Sequence, residues 1–316
     1  MRIDPAILSF PQKRESRNKD DHSDSCLRRK DAATNAIQTF SNGTVLVDYG
    51  PMRMFISVFE DGKLLVTLAR EGAHLAMRVL EDLAGFLPVI KKKAQGLEVE
   101  KKFPDVVQRM IEATQMMEEP DLTPLAAVAG AASDVVADFI FDQGGTKVIV
   151  DNGGDIAIRL REGEVAKVGV KTDIHAIRPS YMIAFDSTMG IGGVATSGLG
   201  GRSFTKGIAS AATVLSKTAA LADATATVIG NFTNVDDPGI ERSLAERIYP
   251  DTDIVGEWVT TEARGLSPEK IEEALQHGLS KAYHIYQKGL TGGALIAVKD
   301  RVAWTDSLSP LLTKII

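Results

Sequence analysis

VIVDNGGDIAI (residues 148–158) consists of two apolar runs on either side of a short glycine turn. The run before Asn152 is continuously apolar and the run after Asp155 alternates, as expected of two strands. Asn-Gly readily adopts the positive φ angles of a type I′ turn, which predicts a tight hairpin of antiparallel strands. A second interpretation is a ligand-binding wall, because two glycines let a flat ring or a phosphate approach bare backbone.

Strand-like and helix-like segments occur in separate groups along the rest of the chain. The predicted strands are 44–50, 52–60, 63–69, 147–151, 155–160, 165–171, 181–186, 253–261 and 292–298. The predicted helices are 71–93, 103–117, 123–145, 206–229 and 267–289. Because strands group with strands and helices with helices, we predict an α+β fold with antiparallel or mixed sheets flanked by helices.

Composition and charge narrow the class of protein. The chain of 316 residues is 44% hydrophobic and 25% charged, and its net charge is −6. This negative balance argues against general binding of a phosphate backbone, so we expect no nucleic-acid partner. The single cysteine, Cys26, excludes an internal disulfide framework and a CxxC metal site. We therefore expect a cytoplasmic location, where thiols stay reduced.

The first 30 residues are highly charged, with eight Lys or Arg and five Asp or Glu. They contain no hydrophobic region of the roughly 7 to 15 residues that a signal peptide needs. Nowhere does an apolar run approach the roughly 18 residues needed to span a bilayer. We predict a disordered tail over residues 1–32, a single domain over 33–316 with lobes of about 33–145 and 146–316, and no membrane contact.

A glycine-rich stretch, MGIGGVATSGLGGRSFTKG (189–207), has seven glycines in 19 residues. It contains the letters GxGxxA, but a Rossmann phosphate site must open a helix, and the glycines at 198–201 would break one. We predict a long loop with exposed backbone, with hydroxyls at Thr196 and Ser197 and a cation at Arg202. Such a donor-rich loop suits an anionic ligand. A connection without a function is the alternative.

The stretch LADATATVIG (221–230) places polar residues in a helix of small ones. Within the predicted helix 206–229, Asp223 and Thr227 are four residues apart and project from one face. Carboxylate and hydroxyl oxygens are ligands that Mg²⁺ prefers, usually together with substrate phosphates and water. The alternative is that Asp223 caps a helix and the threonines hydrogen-bond to earlier carbonyl groups.

In their order, VIVDNGGDIAI, VATSG and ASAATVLSKTAALADATATVIG resemble three blocks of the ApbE family of FAD:protein FMN transferases. The resemblance covers roughly residues 120–232 and implies a two-lobed α+β fold with a flavin site. It implies Asp223 and Thr227 as Mg²⁺ ligands. The flavin-binding residues that it implies are Asn152, Gly153, Gly154, Asp155, Thr196, Ser197, Gly198 and Arg202.

The chain departs from the family pattern in two places. Ala129 stands where the family has a lysine, and the family's HIIDPRTG segment is replaced by LGGRSFTKGIA (199–209). The whole chain is more similar to a cytosolic ApbE-like branch of anaerobic prokaryotes and archaea. Some members of that branch have been linked to sulfur assimilation into homocysteine, and the resemblance implies the same pathway here.

The resemblance leaves three functions open. The first is binding of FAD, FMN or a similar small phosphorylated ligand, with Mg²⁺. The second is an enzymatic activity, Mg²⁺-dependent transfer of FMN from FAD to a protein. The third is a non-catalytic partner subunit of a sulfur-incorporating enzyme, so a homodimer and a complex with a partner protein both stay open.

Overall fold

The computed structural model describes residues 36–173 and 176–315. The disordered tail predicted for residues 1–32 lies outside the described residues. The division of residues 33–316 into two lobes stays a prediction.

A large antiparallel sheet forms the centre of the described structure. Its strands are β1 (Ile37–Thr39), β2 (Val45–Tyr49), β3 (Met52–Glu60), β4 (Lys63–Leu64), β5 (Lys147–Asp151), β6 (Ile156–Leu160), β9 (Gly193–Ser197), β10 (Ala211–Ser216), β13 (Gly293–Val298) and β14 (Arg301–Trp304). They lie in the order β1-β2-β3-β5-β6-β9-β10-β13-β14, and β4 pairs with β3. All pairings in the sheet are antiparallel.

Two small sheets complete the described strands. One has the order β15-β8-β7, from β7 (Val165–Val170), β8 (Tyr181–Asp186) and β15 (Leu312–Lys314). The other pairs β11 (Ile240–Leu244) with β12 (Trp258–Ala263).

Helices cover one face of the large sheet. The α-helices of the described residues are α1 (Val66–Gly85), α2 (Leu87–Ile90), α3 (Asp105–Gln115), α4 (Val128–Asp142), α5 (Ala219–Phe232), α6 (Ala245–Ile248) and α7 (Pro268–Gln287). Going along the sheet, α1 packs on β2 and β3, α4 on β5 and β6, α5 on β9 and β10, and α7 on β13 and β14. The predicted α+β class with antiparallel sheets and flanking helices is confirmed.

Both faces of the central strands are buried, and successive side chains serve two different cores. In β5, Val148 and Val150 join the core beneath the helices, whereas Ile149 packs with the β15-β8-β7 side. In β10, Val214 and Leu215 divide in the same way. This is why these strands are continuous apolar runs rather than alternating ones.

The third strand predicted for the opening meander, 63–69, is wrong beyond its first two residues. Only Lys63–Leu64 pairs with β3, and α1 begins at Val66. Ala69, Ala73 and Ala76 are buried at the spacings of one helix face, so this apolar run belongs to the amphipathic helix that follows it.

The long loop predicted at 189–207 and the helix predicted at 206–229 are both partly wrong. Residues 193–197 form β9 in the interior of the sheet, and residues 211–216 form β10 beside it. Helix α5 begins only at Ala219, after Thr218, whose hydroxyl accepts a hydrogen bond from the amide of Leu221 at 3.2 Å. Small and hydroxyl residues permit strand or helix, and burial on both faces removes the alternation that marks a strand. The strand predicted at 253–261 also begins later, at Trp258.

Within the described residues, the segment Pro124–Asp142 is long and apolar enough to cross a membrane. Its apolar window is 56% buried, because α4 packs between the sheet and helices α1 and α5. Its composition is therefore accounted for by its central place in the core.

Helices α4 and α5 meet closely at Gly130. A Cβ atom on Gly130 would overlap the backbone carbonyl group of Ala219, the first residue of α5. On the neighbouring strand β9, a Cβ on Gly193 would overlap the backbone of the same residue. Glycine at both positions lets the start of α5 sit against α4 and the sheet at once.

We predict that Gly130→Ala destabilises the protein by about 1–3 kcal/mol, because the new methyl group overlaps backbone that cannot rotate away. Chemical denaturation measures this change. Gly85→Ala is the matched control, since a Cβ on Gly85 in α1 has no neighbour within 4 Å. There the substitution should be neutral or stabilising, because alanine favours helix. Equal effects of the two substitutions would contradict the close α4–α5 contact.

Candidate functional site

A cavity of about 280 Å³ opens where the β5–β6 turn, the start of α4, the end of β9 and the middle of α5 meet. Both polar and apolar residues line it. Its lining residues are Pro51, Met52, Leu80, Leu83, Val128, Ala129, Ala132, Asn152, Gly153, Asp155, Thr196, Ser197, Gly198, Gly201, Arg202, Ser203, Asp223 and Thr227.

The structure brings the three segments singled out in the sequence together at this cavity. Every predicted site residue except Gly154 lines it. The amide of Gly154 instead donates a hydrogen bond to the carboxylate of Asp151 at 2.8 Å and so closes the turn from within. The binding and metal-ligating roles of these residues stay predictions.

The turn at 152–155 is both a hairpin connection and a wall of the cavity. Asp151 and Ile156 pair across the antiparallel strands, and Gly153 and Gly154 have φ angles of 77° and 105°. Ser133 of α4 donates a hydrogen bond to the carbonyl oxygen of Asp155 at 2.9 Å and ties the turn to the helix. The two interpretations of this stretch are therefore compatible.

Asp223 caps the start of a different helix. Its Oδ2 accepts a hydrogen bond from the backbone amide of Gly130, in the first turn of α4, at 3.0 Å. In return, the carboxylate of Asp134 in α4 accepts hydrogen bonds from the amides of Ala219 and Ala220, at 3.0 and 2.8 Å. Each helix thus supplies the carboxylate that satisfies amide groups at the N-terminus of the other. We call this pair of interactions the reciprocal caps.

A buried ion-pair network supports the reciprocal caps from the sheet. Arg159 of β6 bonds through Nη2 to Asp134 at 2.9 Å and through Nε to Asp138 at 2.6 Å. Its Nη1 donates to the carbonyl oxygen of Gly192 at 2.9 Å. Because Asp134 is fully buried, its charge depends on these partners.

Two carboxyl groups at the cavity have pKa values above the ordinary value of an aspartate. Burial raises the pKa of Asp223 to about 7, although amides of Gly130 and Ala129 act to lower it. Burial, followed by the charge of Asp223, raises the pKa of Asp155 well above its usual value, while the cation of Arg202 acts in the opposite direction. A low-dielectric site with two carboxylates favours a bound proton or a bound cation.

Arg202 bridges two other segments that line the cavity. Its Nη1 donates to the carbonyl oxygen of Pro51 at 3.0 Å, and its Nη2 donates to that of Asn152 at 3.4 Å. A Cβ on Gly153 would overlap the guanidinium group, so glycine is required there for this contact as well as for the positive φ angle. Arg202 itself is exposed.

The apolar wall was not predicted from the sequence. It is formed by Met52 at the start of β3, Leu80 and Leu83 on α1, and Val128 and Ala132 on α4. These residues have the ordinary spacing of core positions, and only the packing of α1 against α4 shows that they face a cavity.

No cluster of three or more His, Cys, Asp or Glu with the geometry of a metal site occurs among the residues that the structure describes. The predicted ligands Asp223 and Thr227 line the cavity, and Asp155 supplies a second carboxylate. This donor set is small, and Mg²⁺ commonly uses one or two carboxylates and completes its shell with water and phosphate oxygens.

A protein-family model described as AbpE bacteria matches residues 37–304. The chain belongs to this family. The membership of the ApbE-like superfamily that the sequence predicts is thereby confirmed.

Several archaeal relatives are also similar to the chain. A UPF0280 protein of Methanosarcina barkeri is 32% identical over 190 residues, which are 60% of this chain and 73% of the relative. A UPF0280 protein of Methanopyrus kandleri is 32% identical over 191 residues, with 60% and 75% covered.

Among solved structures, the flavin transferase ApbE from Vibrio cholerae is 14% identical, with a TM-score of 0.47 and with 85% of this chain and 98% of that chain covered. The ApbE protein of Thermotoga maritima gives the same values.

We predict that Asp223→Asn stabilises the ligand-free protein in a pH-dependent way. A pKa of about 7 in the folded state exceeds the roughly 3.9 of an unfolded aspartate, so wild-type stability is complete below pH 4 and falls as the pH rises towards 7. Asparagine cannot ionise, yet keeps an oxygen for the amide of Gly130. The gain in unfolding free energy should therefore grow from about pH 4 to 7 and then level off.

Asp186→Asn is the control of opposite sign for this experiment. Hydrogen bonds from the hydroxyl and amide of Thr188 lower the pKa of Asp186, so its carboxylate stabilises the fold above the unfolded pKa. Relative to wild type, this variant should become less stable as the pH rises to about 4, and the difference should stay constant above that pH. Denaturant melts between about pH 2 and 8 measure both variants. A difference for Asp223→Asn that does not change with pH would contradict the assigned pKa.

Proposed function

We propose that the protein binds a flavin nucleotide, or a similar phosphorylated ligand, in this cavity together with a divalent cation such as Mg²⁺. One observation carries the proposal: apolar side chains, a carboxylate pair, bare glycine backbone and an arginine line one cavity. Small-molecule sites commonly combine a largely apolar lining with a few convergent polar groups.

The apolar wall and the glycine turn suit a flat ring. Leu80, Leu83 and Val128 supply apolar lining, and Gly153 in the same cavity exposes backbone without a side chain. A planar heterocycle bound in this cavity would bury its apolar surface against the protein and keep its polar edge near Asn152. Membership of the family and the resemblance of the three blocks support a flavin as that ring.

The carboxylate pair suits a divalent cation. Burial raises the pKa of both Asp155 and Asp223, and the charge of Asp223 raises that of Asp155 further. A cation beside both carboxylates would offset this cost of ionisation. The hydroxyl of Thr227 adds a neutral oxygen on the same face of α5 as Asp223. When bound, the cation supplies positive charge for phosphate oxygens, while these residues hold its position.

Arg202 suits the phosphate of such a ligand. Its guanidinium bonds to two carbonyl oxygens and forms no ion pair with the residues that the structure describes. Guanidinium groups bind phosphate with two parallel hydrogen bonds. The exposed position of Arg202 at the mouth would leave the phosphate end of the ligand nearest to solvent.

We predict that Arg202→Gln weakens binding of FMN about tenfold, because a charge-assisted contact is lost. Quenching of flavin fluorescence during titration measures the dissociation constant. Arg301→Gln is the matched control, since Arg301 lies on β14 outside the cavity and the variant has the same net charge. Equal weakening by both variants would assign the effect to overall charge and contradict the assignment of Arg202.

We predict that Mg²⁺ strengthens binding of FMN, FAD or ADP by wild type and that Asp223→Asn removes most of this gain. The expected loss is tenfold or more, about 1.4 kcal/mol, because a charged ligand of the cation is removed. Titrations with and without Mg²⁺ separate the two contributions. Equal affinities of wild type and variant in Mg²⁺ would contradict the metal assignment while leaving flavin binding intact.

A second candidate function is the Mg²⁺-dependent transfer of FMN from FAD to a protein. The carboxylate pair favours it, because a cation there would hold the pyrophosphate bridge of FAD and offset the charge of AMP, which leaves when a protein hydroxyl takes the FMN phosphate. Ala129 lines the cavity at the position where the resembling family has a lysine. Incubation with FAD and cell extract, followed by mass spectrometry for flavinylated protein, tests this activity.

A role in sulfur assimilation, a cytoplasmic location and the function of a partner subunit stay predictions. Co-purification of a stoichiometric partner, without a thermal shift on addition of flavin, would favour the partner subunit. A ligand at 100 times its dissociation constant stabilises the folded state by about 2.7 kcal/mol, which a melting experiment detects.

A further inference from the structure

A cluster of large apolar side chains is exposed on the loop between β11 and β12. The two ends of this loop are paired with each other, since Leu244 and Trp258 lie opposite one another in the small sheet. We call residues 244–258 the β11–β12 loop. The exposed fractions of its large apolar residues are 46% for Ile248, 56% for Tyr249, 66% for Val255 and 54% for Trp258. Single exposed apolar residues are ordinary, whereas four within one short loop require an explanation.

The β11–β12 loop has a defined shape. Its first residues form α6, and the amide of Tyr249 donates to the carbonyl oxygen of Ala245 at 2.9 Å. The amide of Ala245 in turn donates to the carbonyl oxygen of Glu257 at 3.0 Å. Across the loop, the amide of Gly256 donates to the carboxylate of Glu246 at 3.0 Å. The exposed side chains therefore stand on ordered backbone, and a partner that covers them has little additional chain to order.

Acidic side chains attach the loop to the rest of the protein. Asp251 pairs with Lys91 at 2.5 Å, and Glu257 pairs with Lys206 at 2.7 Å. The loop thus uses charged side chains for its attachment and leaves large apolar ones in water, which is the reverse of the usual distribution. This reversal indicates a surface that another molecule covers.

We propose that the β11–β12 loop is the interface of a homodimer, in which it meets the same loop of a second copy of this chain across a two-fold axis. The four apolar side chains together expose on the order of 500 Å², since one aromatic side chain alone presents roughly 150–250 Å². Two such surfaces cover about 1,000 Å², the least that a specific interface needs. This proposal does not depend on the function of the cavity.

The charges of the loop favour a second copy of the chain as the partner. Arg247 is exposed and forms no ion pair with the residues that the structure describes. Asp253 bonds to the hydroxyl of Thr123 and likewise has no cationic partner in that part of the chain. A two-fold axis brings each residue of one copy against a different residue of the other, and the reverse. A loop with one unpaired cation and one unpaired carboxylate is therefore complementary to its own copy.

The first test is sedimentation of the intact chain at increasing concentration, for wild type and for Val255→Lys. This variant places an ammonium group among the apolar side chains of the proposed interface. Val165→Lys is the matched control, because Val165 is an exposed valine at the start of β7 and the net charge changes equally. Thermal melts of the two variants check that both are folded.

The second test follows the emission of Trp258 itself. The chain has two tryptophans, so Trp304→Phe leaves Trp258 as the only one. Indole emission moves to shorter wavelength when the ring leaves water. A dimer through the β11–β12 loop therefore requires a blue shift that develops with concentration, in step with sedimentation.

We expect wild type to dimerise with a dissociation constant in the micromolar range, because the interface is at the lower end of specific interfaces. Val255→Lys should weaken this association at least tenfold, since a charge would be buried among apolar groups. Val165→Lys should leave it unchanged. The blue shift of Trp258 should disappear when Val255→Lys is added to the Trp304→Phe chain.

Three results would overturn the proposal. The first is a wild type that stays monomeric up to about 0.5 mM. In that case, a blue-shifted emission of Trp258 at every concentration would show that a segment of the same chain covers the loop, and emission of an exposed indole would show that no copy does. The second is a dimer that Val255→Lys does not weaken, and the third is equal weakening by both lysine variants.

Discussion

The exchange of carboxylates between α4 and α5 is the constraint on which the rest of the structure depends. Asp134 of α4 satisfies the first amides of α5, and Asp223 of α5 satisfies an amide in the first turn of α4. Buried amides without partners would cost free energy, so the helices cannot separate without losing both interactions. The missing side chain at Gly130 is what lets them approach closely enough.

This constraint also positions the cavity. Asp223 faces α4 because it caps that helix, and the same orientation places its carboxyl group beside Asp155 of the β5–β6 turn. Ser133, one turn further along α4, fixes that turn through the carbonyl oxygen of Asp155. The residues with unusual ionisation are thus held by the contacts that hold the fold. A structural and a ligand-binding role for Asp223 are therefore compatible.

The sequence predicted the sheet class, most helices and the convergence of three distant segments, because each depended on local pattern or on the order of motifs. Strand β3 and helix α7 have strong periodicity and lie close to the predicted ranges. Strands β9 and β10 were missed because burial on both faces gives no alternation and their small residues resemble those of α5. The apolar wall at Leu80 and Leu83 could not be predicted, since tertiary packing alone distinguishes it from the core.

The contact between α4 and α5 gives the two sides of the cavity different conformational freedom. Asp223 and Thr227 lie on a helix that packs against α4 and the sheet, so a ligand of the proposed kind would meet them already in place. On the other side, residues 199–204 connect β9 to the segment anchored by Thr205 and Lys206, and Arg202 is exposed there. Any adjustment to ligands of different size would then fall on this short connection, and the carboxyl pair would keep its geometry for all of them.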